Sequence, residues 1–419
     1  MHLQIGELST VVVSSVEFAE QVMKTHDVIF ASRPYNPAAN FLSYNSTDRY
    51  NLFTIWQLLE TTTEALHLGD FKQETTAGSP VNLTDKVYSF TCGVTSRAAF
   101  GKKCKDQEEF LSAVNETGKL LGGFNIEDLF PSIIMLLRWV SGIRSQLQKL
   151  HHVTDRILEN IIKEHNNQGK TTTSDVGKSN DEENHEDLVD VLLKVQQDGD
   201  IKLTIDNIKA VIWHIFSAGI ETSATTIDWV MSELMKNPRL MKKAQIEVRR
   251  VESLIKKLDE MGINEMKYLK AVIKETLRLH PAAPLLSPRE CRESCKIKEF
   301  DIPIKTKVLV NAWAIGRDPK HWSEPERFVP ERFIDSPLDY NGTHFEYLPF
   351  GAGRRMCPGM SFGLANIEIA LAMLLYHFDW KLPNEMKQEE DLNMTEVFGI
   401  TVKRKDDLCL IPIPYHLSM

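Results

Sequence analysis

The segment that most constrains this chain is the ordered run Phe350, Gly351, Ala352, Gly353, Arg354, Arg355, Met356, Cys357, Pro358, Gly359, which opens directly into an apolar stretch beginning at Met360. Glycines around a single cysteine let the backbone approach a flat ligand closely, and a helix starting just after them aims unpaired N–H groups at the sulfur. That environment favours a thiolate. A thiolate with one open face suits the iron of a porphyrin, whereas an isolated Gly-x-x-x-Cys is more often a turn with an inert cysteine. Ten ordered positions ending in a helix favour the haem reading.

Composition narrows the remaining choices. With 42% hydrophobic and 26% charged residues, the 419-residue chain can bury a sizeable core. Its 58 acidic and 49 basic side chains leave a net charge of −9, and it has no long basic block, so nucleic acid is excluded as the main partner. Six scattered cysteines do not make a disulfide framework and point to a reducing compartment. Cys291 and Cys295 lack a second pair at zinc-ligand spacing. The run 133–140 is short and carries Arg138, so no transmembrane segment is expected.

Periodicity assigns most elements. Residues 3–13, centred on Gly6, read as a hairpin, and 16–23 as a helix. The apolar spacing over 81–164 is mostly helical, and the polar stretch 166–186 reads as an exposed loop. Helices continue to Leu279, short strands fall within 295–310, and a long helix covers 360–377. The expected class is mainly α with a minor β-sheet region, in a single domain spanning 1–419.

Three further segments carry chemistry. Ala218, Gly219, Ile220, Glu221 and Thr222 lie inside a helix opening near Thr204, where Ile208, Ile212 and Ile215 share a buried face. A carboxylate and a hydroxyl in such a helix can organise water and deliver protons, although a mid-helix threonine more often bonds back to its own turn. Glu275 and Arg278 stand three apart on a helix stopped by Pro281. They form either a surface pair or, with Arg332 from the run Pro330, Glu331, Arg332, Phe333, a buried network clamping the cysteine loop.

In this order and spacing, the four segments resemble those of plant microsomal cytochrome P-450 monooxygenases, in particular terpenoid hydroxylases; the likeness covers about 1–47 and 77–419. The resemblance implies a cytochrome P-450 fold with haem b on Cys357, the metal ligand. It implies that Arg355 and Arg289 contact the haem propionates, that Phe350 packs beside the sulfur, and that Gly219 lets the cofactor lie against the backbone. Glu221 and Thr222 match the acid and alcohol of oxygen activation, and Glu275, Arg278 and Arg332 the structural triad. Substrate would meet Ala218, Ala283, Leu285, Leu286, Phe398 and Ile400, within the stretches 218–219, 282–286 and 397–401. The implied partners are NADPH-cytochrome P-450 reductase, which passes on electrons from NADPH, a small lipophilic substrate and O2. The implied location is the cytosolic face of the endoplasmic reticulum membrane. A haem-thiolate isomerase or dehydratase is the weaker alternative, because Glu221 and Thr222 are present.

The chain departs from the family twice. No anchor helix or proline-rich hinge precedes Met1, so the chain is expected to be N-terminally truncated and unanchored, although the surface near 129–140 could touch lipid. Over 50–76 the Trp-x-x-x-Arg helix that grips a propionate is missing, and Trp56 is followed four residues later by Glu60. Codons for this stretch can be chosen so that a reading one base later spells IIFSPYGNYWRQLRKHCTWEILSKKR, which restores the family segment. The expectation is a frame-shifted or damaged gene with a further deletion before Ala77, and therefore a haem-poor or inactive product.

Overall fold

The computed structural model describes residues 1–44, 79–102, 105–122, 126–133, 142–171, 186–198, 202–255, 260–383, 392–397 and 399–415. In chain order the strands are β1 (His2–Ile5), β2 (Leu8–Val13), β3 (Val81–Asn82), β4 (Arg289–Glu290), β5 (Cys295–Ile297), β6 (Phe300–Ile302), β7 (Lys307–Val310), β8 (Phe378–Lys381), β9 (Glu396–Val397), β10 (Lys403–Arg404) and β11 (Cys409–Pro414). The helices used below are α1 (Val16–Glu20), α2 (Pro37–Leu42), α3 (Leu83–Phe100), α4 (Gln107–Leu121), α5 (Ile143–Thr171), α6 (Leu188–Asp198), α7 (Ile205–Lys236), α8 (Pro238–Ile255), α9 (Lys267–Leu279) and α10 (Met360–His377).

Packing divides the chain into two compact units, one comprising Met1–Pro34, Leu68–Tyr88 and Thr222–Met419, the other Tyr35–His67 and Ser89–Glu221. The first holds the sheets. Gly6, at φ 61°, turns β1 into β2, as the hairpin reading requires. Strand β2 then runs parallel to β7, which pairs antiparallel with β4, giving the order β1-β2-β7-β4. One face of this sheet, α1 and the helical turn Gln21–Thr25 that follows it bury Val13, Ala19, Val22, Met23, Val308 and Val310 in a core that also takes in Ala352 of the cysteine loop. A second sheet has the order β3-β11-β8, with β8 continuing directly from α10.

Helix α10 is long and apolar enough to cross a membrane, longer than the 133–140 run weighed from sequence, and 56% of that window is buried. Its apolar character serves the core: Phe362, Ile367, Leu371 and Leu375 are all buried. In the other unit, α2, α4 and α5 meet through Ala38, Leu42, Leu120 and Leu147. Asn36 caps α2 by accepting from the Ala39 N–H, with Pro37 at the first helical position. Phe216 of α7 stacks on Phe100 of α3 and packs against Phe110 of α4.

One boundary differs from the sequence reading. Helix α5 continues to Thr171, so the first residues of the expected 166–186 loop are helical. Asn166 and Asn167 are exposed there, and an exposed last turn shows no apolar period to read. Residues 172–185, like 45–78 and 134–141, lie outside the described residues.

Candidate functional site

The cysteine loop is shaped by two left-handed glycines, Gly351 at φ 71° and Gly353 at φ 67°. A Cβ on Gly353 would stand 2.2 Å from the Met23 carbonyl oxygen and 2.7 Å from Asp27 Oδ1, so both conformation and space demand glycine. The loop closes when the Cys357 N–H donates to the Phe350 carbonyl at 2.9 Å, and Gly359 then leads into α10. Phe350 itself meets the Tyr340 ring edge-on.

Asp27 is the hub beneath this loop, and sequence reasoning missed it. It accepts from the Arg354 N–H at 3.1 Å, pairs with Arg354 Nε at 3.3 Å and pairs with Arg289 Nη1 at 3.3 Å. Buried Arg289 also donates to the Ala352 carbonyl at 2.9 Å. Burial pulls its guanidinium below the ordinary value and Asp27 acts against that pull. Arg355 donates to the Ala31 carbonyl at 3.0 Å and to Ser287 Oγ at 2.7 Å. Two guanidinium groups thus tie the loop to β4 and to the segment after α1.

Cys357 is exposed, and yet burial raises its thiol pKa while the Gly359 N–H acts to lower it. Such a thiol is protonated when free and gives up its proton on binding a metal.

The second constellation lies on α9. Glu275 is fully buried and takes a bidentate contact from Arg278, Nε and Nη2 each at 2.8 Å. Glu275 Oε1 also accepts from Arg332 Nε at 3.0 Å and from the Val329 N–H at 2.8 Å. Arg278 Nη1 donates to the Gly316 and Pro325 carbonyls at 2.6 and 2.7 Å, and the guanidinium lies over the Trp322 ring. A side chain at Gly316 would meet the Arg278 carbonyl at 2.8 Å. Neither charge is left without partners, as burial requires.

The third lies on α7. Between Asn207 and Met235 every residue is buried except His214, Ser217, Ala218, Glu221 and Thr222. These fall at i, i+3, i+4, i+7 and i+8, which is one helix face. Gly219 is buried beside that face, and Gly118 of α4 leaves room for the Glu221 carboxylate, whose Oε2 would be 3.1 Å from a Cβ there. Thr226 Oγ1 bonds back to the Thr222 carbonyl. Of the expected substrate-lining residues, Ala218 and Ile400 are exposed, Ala283, Leu285 and Leu286 are half-buried, and Phe398 lies outside the described residues.

The family model for cytochrome P450 matches residues 50–409. The chain belongs to the cytochrome P450 family. Premnaspirodiene oxygenase of Hyoscyamus muticus is 46% identical over 441 residues, covering 100% of this chain and 86% of that protein. Tabersonine 16-hydroxylase 2 of Catharanthus roseus is 47% identical over 441 residues, covering 100% and 86%. Both alignments are longer than the 419-residue chain, so these relatives carry internal residues with no counterpart here. A zebra fish cytochrome P450 structure with progesterone shares the fold at a TM-score of 0.79 and 22% identity, covering 99% of this chain and 96% of that one. As P450 enzymes, members of this family are monooxygenases that use haem b, with electrons from NADPH by way of a reductase. The donor set fits that cofactor: one accessible sulfur at a helix start offers a single soft ligand, and the two guanidinium groups beside it match a porphyrin's two carboxylates.

Proposed function

We propose that this chain is built to insert one oxygen atom from O2 into a small lipophilic plant metabolite, a sesquiterpenoid or other terpenoid, at the cytosolic face of the endoplasmic reticulum membrane. The observation that carries the reading is the cysteine loop, where two left-handed glycines and the Asp27 hub hold Cys357 accessible at the start of α10. The names of the two plant relatives, an oxygenase and a hydroxylase, support the reaction type.

Cys357 would hold the haem iron, with Arg355 and Arg289 holding the propionates. Bound there, the haem supplies activation of dioxygen and transfer of one oxygen atom. The protein's own part is positional and electrostatic. Cys357, as thiolate, supplies negative charge to the metal, and the rigid loop fixes where that charge sits. Glu221 and Thr222 lie on the open face of α7 and hold the protons that reduction of dioxygen consumes, the carboxyl relaying them and the hydroxyl placing them. The apolar residues at 282–286 and 397–401 exclude water and orient substrate. The Glu275, Arg278 and Arg332 network secures α9 to the segment that precedes the loop. NADPH-cytochrome P-450 reductase is the proposed electron donor.

The test is spectroscopic. Reduced protein with carbon monoxide should show the strongly red-shifted Soret band of a thiolate-ligated haem, and Cys357→Ser should lose it. A thiolate-type spectrum retained by the variant would remove Cys357 from the ligand role.

A further inference from the structure

Cys291 and Cys295, too sparse for a zinc site, stand four residues apart where β4 gives way to the β5–β6 hairpin. The Cys291 N–H donates to the Thr306 carbonyl at 2.9 Å and its own carbonyl accepts from the Lys305 N–H at 2.7 Å, while Cys295 pairs with Ile302 across the hairpin. In a straight strand, four residues would hold the two cysteines about 13 Å apart. The chain turns back between them instead. The Cys291 sulfur lies 2.9 Å from the Glu293 carbonyl oxygen and 3.9 Å from that of Ile302, the residue opposite Cys295. The two thiols are in hydrogen-bonding contact with each other. Such contact meets the main requirement for a bond between them, which is close approach of the two side chains.

The pair is unequal. Cys291 is fully buried, in the core that holds Met23, Val308 and Ala352, whereas Cys295 is half-buried at the edge of that core. A small oxidant in solution therefore reaches Cys295 first. Burial pushes the Cys291 thiol up to about 11, and the neighbouring Cys295 adds to the rise. Burial raises Cys295 as well, but the hydrogen bond from Cys291 acts to lower it. The accessible sulfur is thus also the readier nucleophile, and the buried one keeps its proton until its partner has reacted. Scarce thiolate makes the reaction slow, so brief exposure spares the pair.

The position of the pair matters for the site. Arg289, two residues before Cys291, pairs with Asp27 and donates to the Ala352 carbonyl of the cysteine loop. The Glu290 N–H donates to the Ser32 carbonyl at 2.9 Å, and the Arg292 N–H to the Ile29 carbonyl at 3.0 Å. The segment that carries Cys291 is therefore fastened beneath the loop that carries Cys357. Incomplete reduction of dioxygen yields peroxide, so a monooxygenase whose turnover uncouples releases an oxidant of thiols itself.

We propose that Cys291 and Cys295 are a redox modification site, which a peroxide converts to a disulfide and a dithiol reductant restores. The Cys295 thiolate attacks one peroxide oxygen and the O–O bond breaks. The other oxygen leaves as water, carrying the proton that Cys295 gave up, and Cys295 becomes a sulfenic acid. The Cys291 sulfur then displaces the hydroxyl. The S–O bond breaks as the S–S bond forms, and the hydroxyl leaves with the Cys291 proton as a second water. Peroxide gains the two electrons that the two thiols lose. Closure removes the Cys291 bond to the Glu293 carbonyl and ties the end of β4 covalently to β5. The origin of the peroxide in uncoupled turnover rests on the monooxygenase reading above; the site itself stands on the geometry of the pair.

The test treats the full chain with hydrogen peroxide at about pH 8, then applies denaturing alkylation, chymotryptic digestion, which does not cut between the two cysteines, and mass spectrometry. In the parent, Cys291 and Cys295 should lose alkylation together and appear in one peptide lighter by two hydrogens, and dithiothreitol should restore both. Cys295→Ser should leave Cys291 as fully alkylated after peroxide as before. Cys291→Ser should stop at the sulfenic acid, which dimedone captures on Cys295. If that buried substitution does not fold, the parent and Cys295→Ser decide the matter. Undiminished alkylation of both cysteines while Cys357 or Cys409 is oxidised would overturn the proposal. A disulfide from either one to another cysteine, or sulfinic acid on Cys295 with Cys291 still free, would overturn it equally. Because the peroxide is added, these outcomes do not depend on turnover. A chain that forms the disulfide but releases no peroxide during NADPH-driven turnover supports the site and removes only the source.

Discussion

Glu275 accepts from two arginines and a backbone N–H while fully buried, so its removal strands charge rather than merely deleting a contact. Glu275→Ala should cost about 3–5 kcal/mol and prevent stable haem uptake. Normal haem content and an unaltered melting temperature in that variant would show that the network is dispensable. Thr222 is a different kind of residue, because it lies on the open face of α7 rather than in the core. In a protein that carries haem, Thr222→Ala should leave haem content intact and lower product formed per NADPH by about tenfold or more, with peroxide released instead. Equal coupling in variant and parent would remove the hydroxyl from proton delivery. Both pairs of neighbours were legible in the sequence because each lies within one helix. Asp27 was not: its partners Arg289 and Arg354 are brought to it only by the fold, and no local pattern marks it.

At the scale of elements, the joint between α5 and α6 carries a titratable fastening. His165 Nδ1 lies 2.8 Å from the Ile161 carbonyl and its Nε2 lies 2.8 Å from Asp187 Oδ2, so both nitrogens face acceptors and the ring is an imidazolium. Asp187 in turn accepts from the Asp190 N–H at the start of α6, and Asp190 completes the acidic surroundings. Burial by itself lowers the imidazole pKa, but the hydrogen bond and charge of Asp187, with the Ile161 carbonyl, outweigh it and the net shift is upward. A folded-state pKa above the unfolded value means that the stabilisation is complete below about pH 6.5 and is lost as pH rises through the folded value. The melting temperature of His165→Gln should therefore fall well below that of the parent near pH 6, and the gap should narrow on the alkaline side. A gap that stays constant or widens with pH would mean the ring is neutral.

For the whole molecule, the consequential stretch is 50–76. The resemblance implies a Trp-x-x-x-Arg helix there that supplies a propionate contact, and charge-assisted hydrogen bonds of that kind contribute about 1.5–3 kcal/mol each. Folding stability is small enough for such a loss to matter. The 419-residue chain should accordingly be recovered haem-poor, with little turnover even when reductase is supplied. Replacing 50–76 by the segment read one base later, together with the residues expected from the resemblance to be deleted before Ala77, should raise haem occupancy severalfold, measured as haem absorbance per polypeptide. Hydroxylation of a terpenoid by the unaltered chain at the rate of an intact relative would mean that 50–76 forms a working alternative.

The sequence by itself determined whatever is written in short-range order. The Gly351 and Gly353 positions, the helix start after Cys357, the buried face of α7, the hairpin at Gly6 and the Glu275 and Arg278 spacing all depend on residues within about ten positions of one another, where backbone sterics and helical period act directly. Tertiary structure decided which of several local readings applied. An i,i+3 ion pair looks the same on a surface as in a core, and only Arg332, Gly316 and Val329 arriving from another segment make it a buried network. An apolar helix long enough to span a bilayer became the core helix α10 because other elements cover it. His280 reads as a helix-ending residue before Pro281, and the two carboxylates that face its ring come from α7 and β9. Contacts between such distant positions leave no period in the sequence, since the free energy that selects them is that of burying many side chains at once.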